Sequence, residues 1–512
     1  MSVKKKLMRN TIMNSGVQLW TTVLNFVLML IIIYFVGLEE YGIYLLVAAL
    51  TGYFGLLDLG IGKSLLKFIA EYHAKKDKQK VNEVVNTAFF IFLLVGVIGA
   101  ICVFIIGTFF IDVFKIEDDL LSKARLLTYL LAVTLIFGFC LNTFSSTLAG
   151  LQRYDRLAYI NFAMSLVNAA VTMAVLLLGY GIVELLFYTI CIGLTRHIIV
   201  AFQVNRYLPY LSIKFSFLKR DTFRTLFRLS LMLLFFSFFA RIIYYTDTLV
   251  IGFFLGVVMI TIYTAAWKIS EIPVKAYIWM LSATIPATSE LDALRREKAL
   301  QELFLRVLKY CLALLFLFGI PILLMSKEIL KYIFNPTGGD FALYHLVTNI
   351  LIISLFFDFF NLVSFHILTG MNKIKVFIGC YGVVAVFNLV LSIILVNIIG
   401  LEGVALGTAV PFIVMAPVFM WYAFKTIGIR VRDYGRTVLL STFPWALLSA
   451  GVLFGLTWIH TPANFLEVVV YFIIGMAVYL LLFYYRGLDD RERSDIKGIL
   501  EAIRYKEEMD VG

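Results

Sequence analysis

Charge is what this chain has least of. Asp, Glu, Lys and Arg make up 15% of its 512 residues, against about a quarter in soluble domains, and that shortage excludes a water-soluble globular protein. Cysteine is scarce too. The five present, Cys102, Cys140, Cys191, Cys311 and Cys380, sit inside apolar runs, form no CxxC and are odd in number. This argues against a disulfide framework or a thiolate zinc site, and the cysteines read as small core residues. The five histidines include no HExxH or comparable ligand spacing, and there is no glycine-rich phosphate loop of the Walker type. No metal, cofactor, catalytic residue or ATP-driven chemistry is therefore expected.

Apolar surface takes the place of charge. The chain is 62% hydrophobic and 16% aromatic, with a mean hydropathy of +0.94, the composition of an integral membrane protein. Lys4, Lys5, Lys6 and Arg9 precede an apolar run that is too long for a signal-peptide core and lacks a small-residue cleavage site, so it reads as the first spanning helix. Stretches able to cross a hydrocarbon core of about 30 Å fall at roughly 12–36, 41–69, 86–111, 126–149, 157–178, 182–204, 226–254, 257–288, 304–326, 341–369, 375–398, 403–424, 437–458 and 465–485. The predicted fold class is an all-α membrane protein of about fourteen helices.

One pattern occurs twice, about 220 residues apart. Leu148, Gly150, Gln152, Arg153 and Asn168 return as Leu368, Gly370, Asn372, Lys373 and Asn388, and Val36-Gly37-Leu38 with Ile43-Tyr44 returns as Leu255-Gly256-Val257 with Ile262-Tyr263. The repeat predicts two six-helix lobes. Six is even, so the lobes share an orientation and are related by a pseudo-two-fold axis along the membrane normal. The expected organisation is an N-terminal lobe over 1–206, an amphipathic cytoplasmic linker over 207–225 and a C-terminal lobe over 226–424. Two added helices over 437–485 and a cytoplasmic tail over 486–512 complete it. Paired lobes of this kind belong to secondary transporters.

Lys and Arg set the orientation. With the N-terminus inside, the inner connections and ends carry about 30 of them against about 5 outside, which places both termini in the cytoplasm of a multi-pass cell-membrane protein. The net charge of +11 is then mostly topological, helped by anionic membrane lipid, and calls for no nucleic-acid partner. Arg153 and Lys373 read as inner-side anchors.

Charges inside the spans cost about 2.5–3.5 kcal/mol each, so they are expected to have a use. Counted at 1.5 Å per residue, Arg241 and Glu271 lie roughly 21 Å deep, Lys268 roughly 16 Å and Asp247 roughly 12 Å. Lys268, Glu271, Lys275 and Ser282 share one stripe of the eighth span. Arg241, Lys268 and Lys275 are the candidate ligand contacts, since a guanidinium with a nearby ammonium suits an anionic group. Static pairing of Arg241 with Glu271 and of Asp247 with Lys268 is the competing reading. Asn14, Gln18, Thr21 and Asn25 form an amide and hydroxyl stripe on the first helix, suited either to sugar hydroxyls or to packing between helices. Asp58, Asp247, Glu271 and Asp358 are candidates for gating or ion coupling. Arg196, His197, Asn361 and His366 are further polar positions, with plain hydrogen-bonding roles favoured for both histidines. Gly52, Gly55, Gly60 and Pro273 supply local flexibility.

Tyr41-Gly42-Ile43-Tyr44, the run Phe54-Gly55-Leu56-Leu57-Asp58-Leu59-Gly60-Ile61-Gly62, Leu148-Ala149-Gly150-Leu151-Gln152-Arg153, and Asp247 followed by Gly252, Leu255-Gly256 and Tyr263 make the chain resemble the MOP exporter superfamily, and within it the Wzx-like polysaccharide flippases. The resemblance implies transfer of polyprenyl-pyrophosphate-linked oligosaccharide across the membrane through a cationic central cavity by alternating access. It also implies contact with other polysaccharide-assembly proteins. A MATE-like drug exporter is the alternative, although the first helix is rich in amides and uncharged instead of acidic. The peptidoglycan-precursor branch is disfavoured because the first two helices hold no arginine beyond Arg9. From another class, a membrane-embedded glycan polymerase or transferase would need a large outer loop. The longest outer connections here run only over about 112–125 and 325–340, and Glu117, Asp118 and Asp119 read as a solvated acidic loop.

Overall fold

The computed structural model describes residues 3–54, 61–334 and 341–494. Among these every regular element is a helix. The first half holds α1 (Val3–Phe54), α2 (Ile61–Ala74), α3 (Lys78–Phe109), α4 (Asp118–Gly150), α5 (Tyr154–Leu177) and α6 (Ile182–Tyr207). The second holds α7 (Arg220–Phe254), α8 (Val257–Ser270), α9 (Ile272–Ala293), α10 (Glu297–Phe334), α11 (Phe341–Gly370), α12 (Lys375–Ile399) and α13 (Leu401–Ile427). The short α14 (Val431–Tyr434), α15 (Leu440–Ile459) and α16 (Phe465–Leu482) follow. Eleven described helices are long and apolar enough to cross a membrane, or twelve if the bent pair of α8 and α9 is one span. The protein is thus an all-α integral membrane protein.

Two spans depart from straight rods. In α1 the helix is interrupted at Gly37, whose φ of 85° and ψ of 173° fall where a residue without Cβ is at ease. The eighth predicted span is also not one helix, which corrects the single stripe read from its sequence. It breaks at Glu271, and α8 and the start of α9 diverge by 44°. Pro273 stands in the first turn of α9, a place where its missing N–H costs little. In a continuous helix the same ring would clash with the carbonyl of Ile269.

The chain divides into two compact units, Met1–Ala265 with Tyr381–Gly407, and Ala266–Cys380 with Thr408–Gly512. In the first, Ile61, Leu65 and Ile69 of α2 pack with Val81, Val85 and Phe92 of α3, Leu148 of α4 and Val200 and Val204 of α6. In the second, Met325, Leu453 and Val468 join α10, α15 and α16.

The backbone repeats itself more closely than the sequence does. Among the described residues, Lys76, Gln152, Arg295 and Asn372 are the non-glycine residues at positive φ, all between 52° and 57°. Lys76 and Arg295, like Gln152 and Asn372, lie about 220 positions apart. Each closes a helix by the same pair of backbone hydrogen bonds. Gln152 and Arg153 donate to the carbonyls of Ala149 and Leu148, and Asn372 and Lys373 donate to those of Thr369 and Leu368, as in a Schellman cap. Gly37 and Gly256, and Gly179 and Gly400, form two further positive-φ pairs at the same separation. Close packing recurs as well. A Cβ on Gly150 would lie 2.8 Å from Ile69 and 3.0 Å from the Leu66 carbonyl, and one on Gly370 would lie 2.7 Å from both Thr288 and the Ile285 carbonyl.

The segment before α7 is tied to α3. Asn82 donates to the Tyr210 carbonyl and accepts from the Ser212 amide, while Asn86 donates to the Ser212 carbonyl and accepts from the Lys214 amide at 2.7 Å. Two buried asparagines one turn apart thus supply the backbone of an irregular segment with hydrogen-bond partners it would otherwise lack. Burial here pushes the Tyr210 phenol above its usual range. In the second unit Gln301 plays a related part, donating to the carbonyls of Ile427 and Gly428.

Candidate functional site

Among the described residues, the candidate charges Arg241, Asp247, Lys268, Glu271 and Lys275 cluster in two places, one in each unit. In the first unit the guanidinium of Arg241 donates to the Gly52 carbonyl of α1 and lies 5.4 Å over the ring of Tyr245. Gly52 is required for this, because a Cβ there would run into the Tyr245 ring. Beside it, the Tyr53 and Thr246 hydroxyls are 2.5 Å apart. The next residue of α7, Asp247, is only 3% exposed. It accepts from the Tyr263 hydroxyl at 2.5 Å and from Ser392 at 3.5 Å. A buried carboxylate with hydroxyl donors keeps part of its solvation. Close by, the side-chain amide of Asn388 donates to the Gly407 carbonyl.

The second unit holds Lys268, Glu271 and Lys275 across the break between α8 and α9. Glu271 pairs with Lys275 at 2.8 Å, both about a third exposed. Lys268 senses the charges of both but makes no ion pair among the described residues. The competing pairings, Arg241 with Glu271 and Asp247 with Lys268, would leave Lys275 free, yet Lys275 is the one paired with Glu271. Across the break the three remain close enough for Lys268 to feel the charges of Glu271 and Lys275, although they no longer share one stripe.

The remaining candidates are dispersed. Asp358 is buried on α11 with Asn361 donating to it at 3.4 Å, and the Asn361 carbonyl oxygen and Ser364 hydroxyl have no hydrogen-bond partner among the described residues. His366 bonds the Leu362 carbonyl at 2.8 Å, the plain role expected of it. His197 does not follow suit, since its Nδ1 has no partner among the described residues. Arg196 donates to Asn161 at 2.7 Å. Asn25 is exposed. The side chains of Asn14, Gln18 and Ser282, and Asp58 with Gly55 and Gly60, lie outside the described residues. Arg153 has a contact beyond anchoring, stacking 4.4 Å from the Tyr207 ring centre. Asp118 and Asp119 occupy the first turn of α4, where the helix dipole favours carboxylates.

Sequence reasoning missed a charged pair in which both partners are buried. Lys309 on α10 meets Glu492 at 2.6 Å, the two only 5% and 3% exposed. Glu492 also accepts from Tyr310 and from the Asp489 amide, while Asp489 accepts from the Glu492 amide. The reciprocal Asp489 and Glu492 bonds form a capping box, and that spacing, together with a lysine in an apolar helix, was the available signal.

Comparison with known proteins places this arrangement. The profile of a family described as polysaccharide biosynthesis protein matches residues 7–292, more than half of the chain. The chain belongs to that family. It is 24% identical over 400 residues to a Shigella flexneri protein provisionally assigned as an O-antigen transporter, covering 75% of this chain and 90% of that one. A Haloferax volcanii protein assigned as the low-salt glycan biosynthesis flippase Agl15 is 23% identical over 235 residues, 46% of this chain and 48% of that one. Among solved structures, the lipid II flippase MurJ in an inward closed conformation is similar over 93% of this chain and 99% of its own, with a TM-score of 0.74 at 17% identity. An inward-facing MATE multidrug transporter of the MOP superfamily is similar over 82% and 98%, with a TM-score of 0.68 at 18% identity. This family member therefore shares its fold with the MurJ flippase and the MATE transporter.

Proposed function

We propose that this protein moves polyprenyl-pyrophosphate-linked oligosaccharide from the cytoplasmic to the outer leaflet of the cell membrane by alternating access, for cell-surface polysaccharide synthesis. The observation that carries the reading is a family of polysaccharide biosynthesis joined to cations at membrane depth whose partners are weak. Arg241 bonds a carbonyl and a ring, and Lys268 makes no ion pair among the described residues. Neither arrangement cancels the positive charge, and both leave it available to an anionic ligand. In this reading Arg241, Lys268 and Lys275 bind the pyrophosphate, Asn14, Gln18 and Asn25 meet the sugars, and Asp58, Asp247, Glu271 and Asp358 serve gating or ion coupling. The protein carries no catalytic residue, and its other partners are membrane lipid and neighbouring polysaccharide-assembly proteins.

The organisation belongs to the same proposal. Counting the arms of α1 on either side of Gly37 as separate spans, α8 with α9 as one and α7 as one more brings the total to about fourteen. The lobes are 1–206 and 226–424, joined by the linker 207–225 and related by a pseudo-two-fold axis, with the helices of 437–485 and the tail of 486–512 added. Both termini are cytoplasmic. The recurring positive-φ positions support the axis, and the distribution of Lys and Arg supports the orientation.

The test is translocation of a fluorescent short-chain prenyl-pyrophosphate oligosaccharide in proteoliposomes. Wild type is expected to flip it. Arg241→Ala and Lys268→Ala, at matched reconstitution, are each expected to be slower by on the order of tenfold, the loss of one charge-assisted hydrogen bond. Wild-type rates in both variants would return those charges to a structural role. Failure of the wild type to flip, together with gradient-driven efflux of cationic drugs, would replace the reading with multidrug export.

A further inference from the structure

The connection between α3 and α4 grips the end of α7. A helix leaves its last carbonyls without intrahelical partners and its C-terminus with negative partial charge. At the end of α7 two of those carbonyls are taken by a single residue from elsewhere in the chain. The Lys115 amide donates to the Gly252 carbonyl at 3.1 Å, and its ammonium donates to the Phe254 carbonyl at 2.5 Å. Glycines make the room. A Cβ on Gly252 would sit 3.3 Å from the Phe114 ring and 2.9 Å from Leu46, and one on Gly256, whose φ is 94°, would sit 3.2 Å from the Lys115 carbonyl. A second set of contacts lies alongside. Thr261 donates to the Leu38 carbonyl at 2.7 Å, and Gly42 packs directly on the Val257 carbonyl. Deeper in the same stack are the Tyr53–Thr246 and Arg241–Gly52 bonds.

We infer that Lys115 is the latch of the outer closure, capping α7 from outside that helix, and that the cap must come off each time the transport path opens to the outside. This rests on the orientation proposed above, which puts residues 38–42, 110–117 and 252–261 at the outer face. Nearly every bond in the closure ends on a backbone carbonyl. Such a contact forms and breaks without separating two opposite charges, as suits a joint that must part repeatedly. Lys115 itself is exposed, so its ammonium bond is open to screening by salt.

The experiment uses the full chain in a cysteine-free background, in sealed right-side-out vesicles. A reporter cysteine replaces Ala49, which is buried one to two turns below the gripped ends, and is labelled by a membrane-impermeant maleimide. Lys115→Ala is expected to label roughly threefold faster or more, the effect of losing a cation from a helix C-terminus, and Lys115→Arg is expected to restore the parent rate. Raising salt should speed labelling of the parent and leave Lys115→Ala unchanged. Separately, a disulfide between Leu38→Cys and Thr261→Cys is expected to stop translocation until it is reduced. Equal labelling of parent and Lys115→Ala at every salt concentration would overturn the latch. Transport at the uncrosslinked rate through the disulfide would overturn the closure. If the parent moves no prenyl-pyrophosphate glycan at all, the labelling still decides the inference, because it reads access and not cargo.

Discussion

Single residues carry very different costs here, depending on what they bond. Lys309 and Glu492 are both buried and satisfied by each other, by Tyr310 and by the cap at Asp489. Removing one charge strands the other. Glu492→Gln should therefore destabilise the protein by about 3–5 kcal/mol, whereas the paired change Lys309→Met with Glu492→Leu should recover most of the loss; thermal unfolding in detergent reads both. Arg241 and Lys268 were visible in the sequence because a charge in an apolar run stands out. Their partners were not. The Gly52 carbonyl that receives Arg241 belongs to the backbone, and a backbone acceptor leaves no mark on the sequence. Equal depth suggested Arg241 with Glu271, but Glu271 sits one turn from Lys275 and takes the local partner.

At the scale of elements, the helices were legible from apolar runs and their interruptions less so. Gly37 and Pro273 were both in view, but neither residue alone says whether it bends, breaks or merely loosens a helix. That is decided by the φ of 85° at one and by the end of α8 at Ser270 near the other. The linker shows the same limit. Its amphipathic character was readable, but its attachment was not, since Asn82 and Asn86 look like ordinary inner-end polar residues of α3. Asn86→Ala should leave the Ser212 carbonyl and Lys214 amide without partners and cost about 1–3 kcal/mol. Hydrogen exchange would show faster exchange in residues 210–214, with α4 unaffected. Between helices, Gly150→Ala and Gly370→Ala should each be destabilising by about 1–3 kcal/mol, because each would push a methyl into a neighbouring helix. Comparable losses in unfolding would mark the two positions as equivalents.

For the molecule as a whole, the repeat was legible only where residues kept their chemistry. Gln152 and Asn372 were found that way. Lys76 and Arg295 were not, because a helix cap at positive φ usually announces itself with glycine and here it does not. The strain should be measurable in both halves. Lys76→Gly, Gln152→Gly, Arg295→Gly and Asn372→Gly are expected to be neutral or stabilising by up to about 1 kcal/mol, and Gly37→Ala and Gly256→Ala to be destabilising by at least that much, read by unfolding midpoints. The pair of Lys309 and Glu492 adds a consequence in time, for they are separated by 183 residues of chain. A ribosome adding about 5–20 residues per second delivers α10 to the membrane roughly 10–40 s before the counter-ion exists. Until then Lys309 has to stay hydrated or borrow another anion. Insertion of the second unit should therefore finish only when the segment around Glu492 emerges, and a nascent protein stopped short of Asp489 should be a ready substrate for membrane quality control.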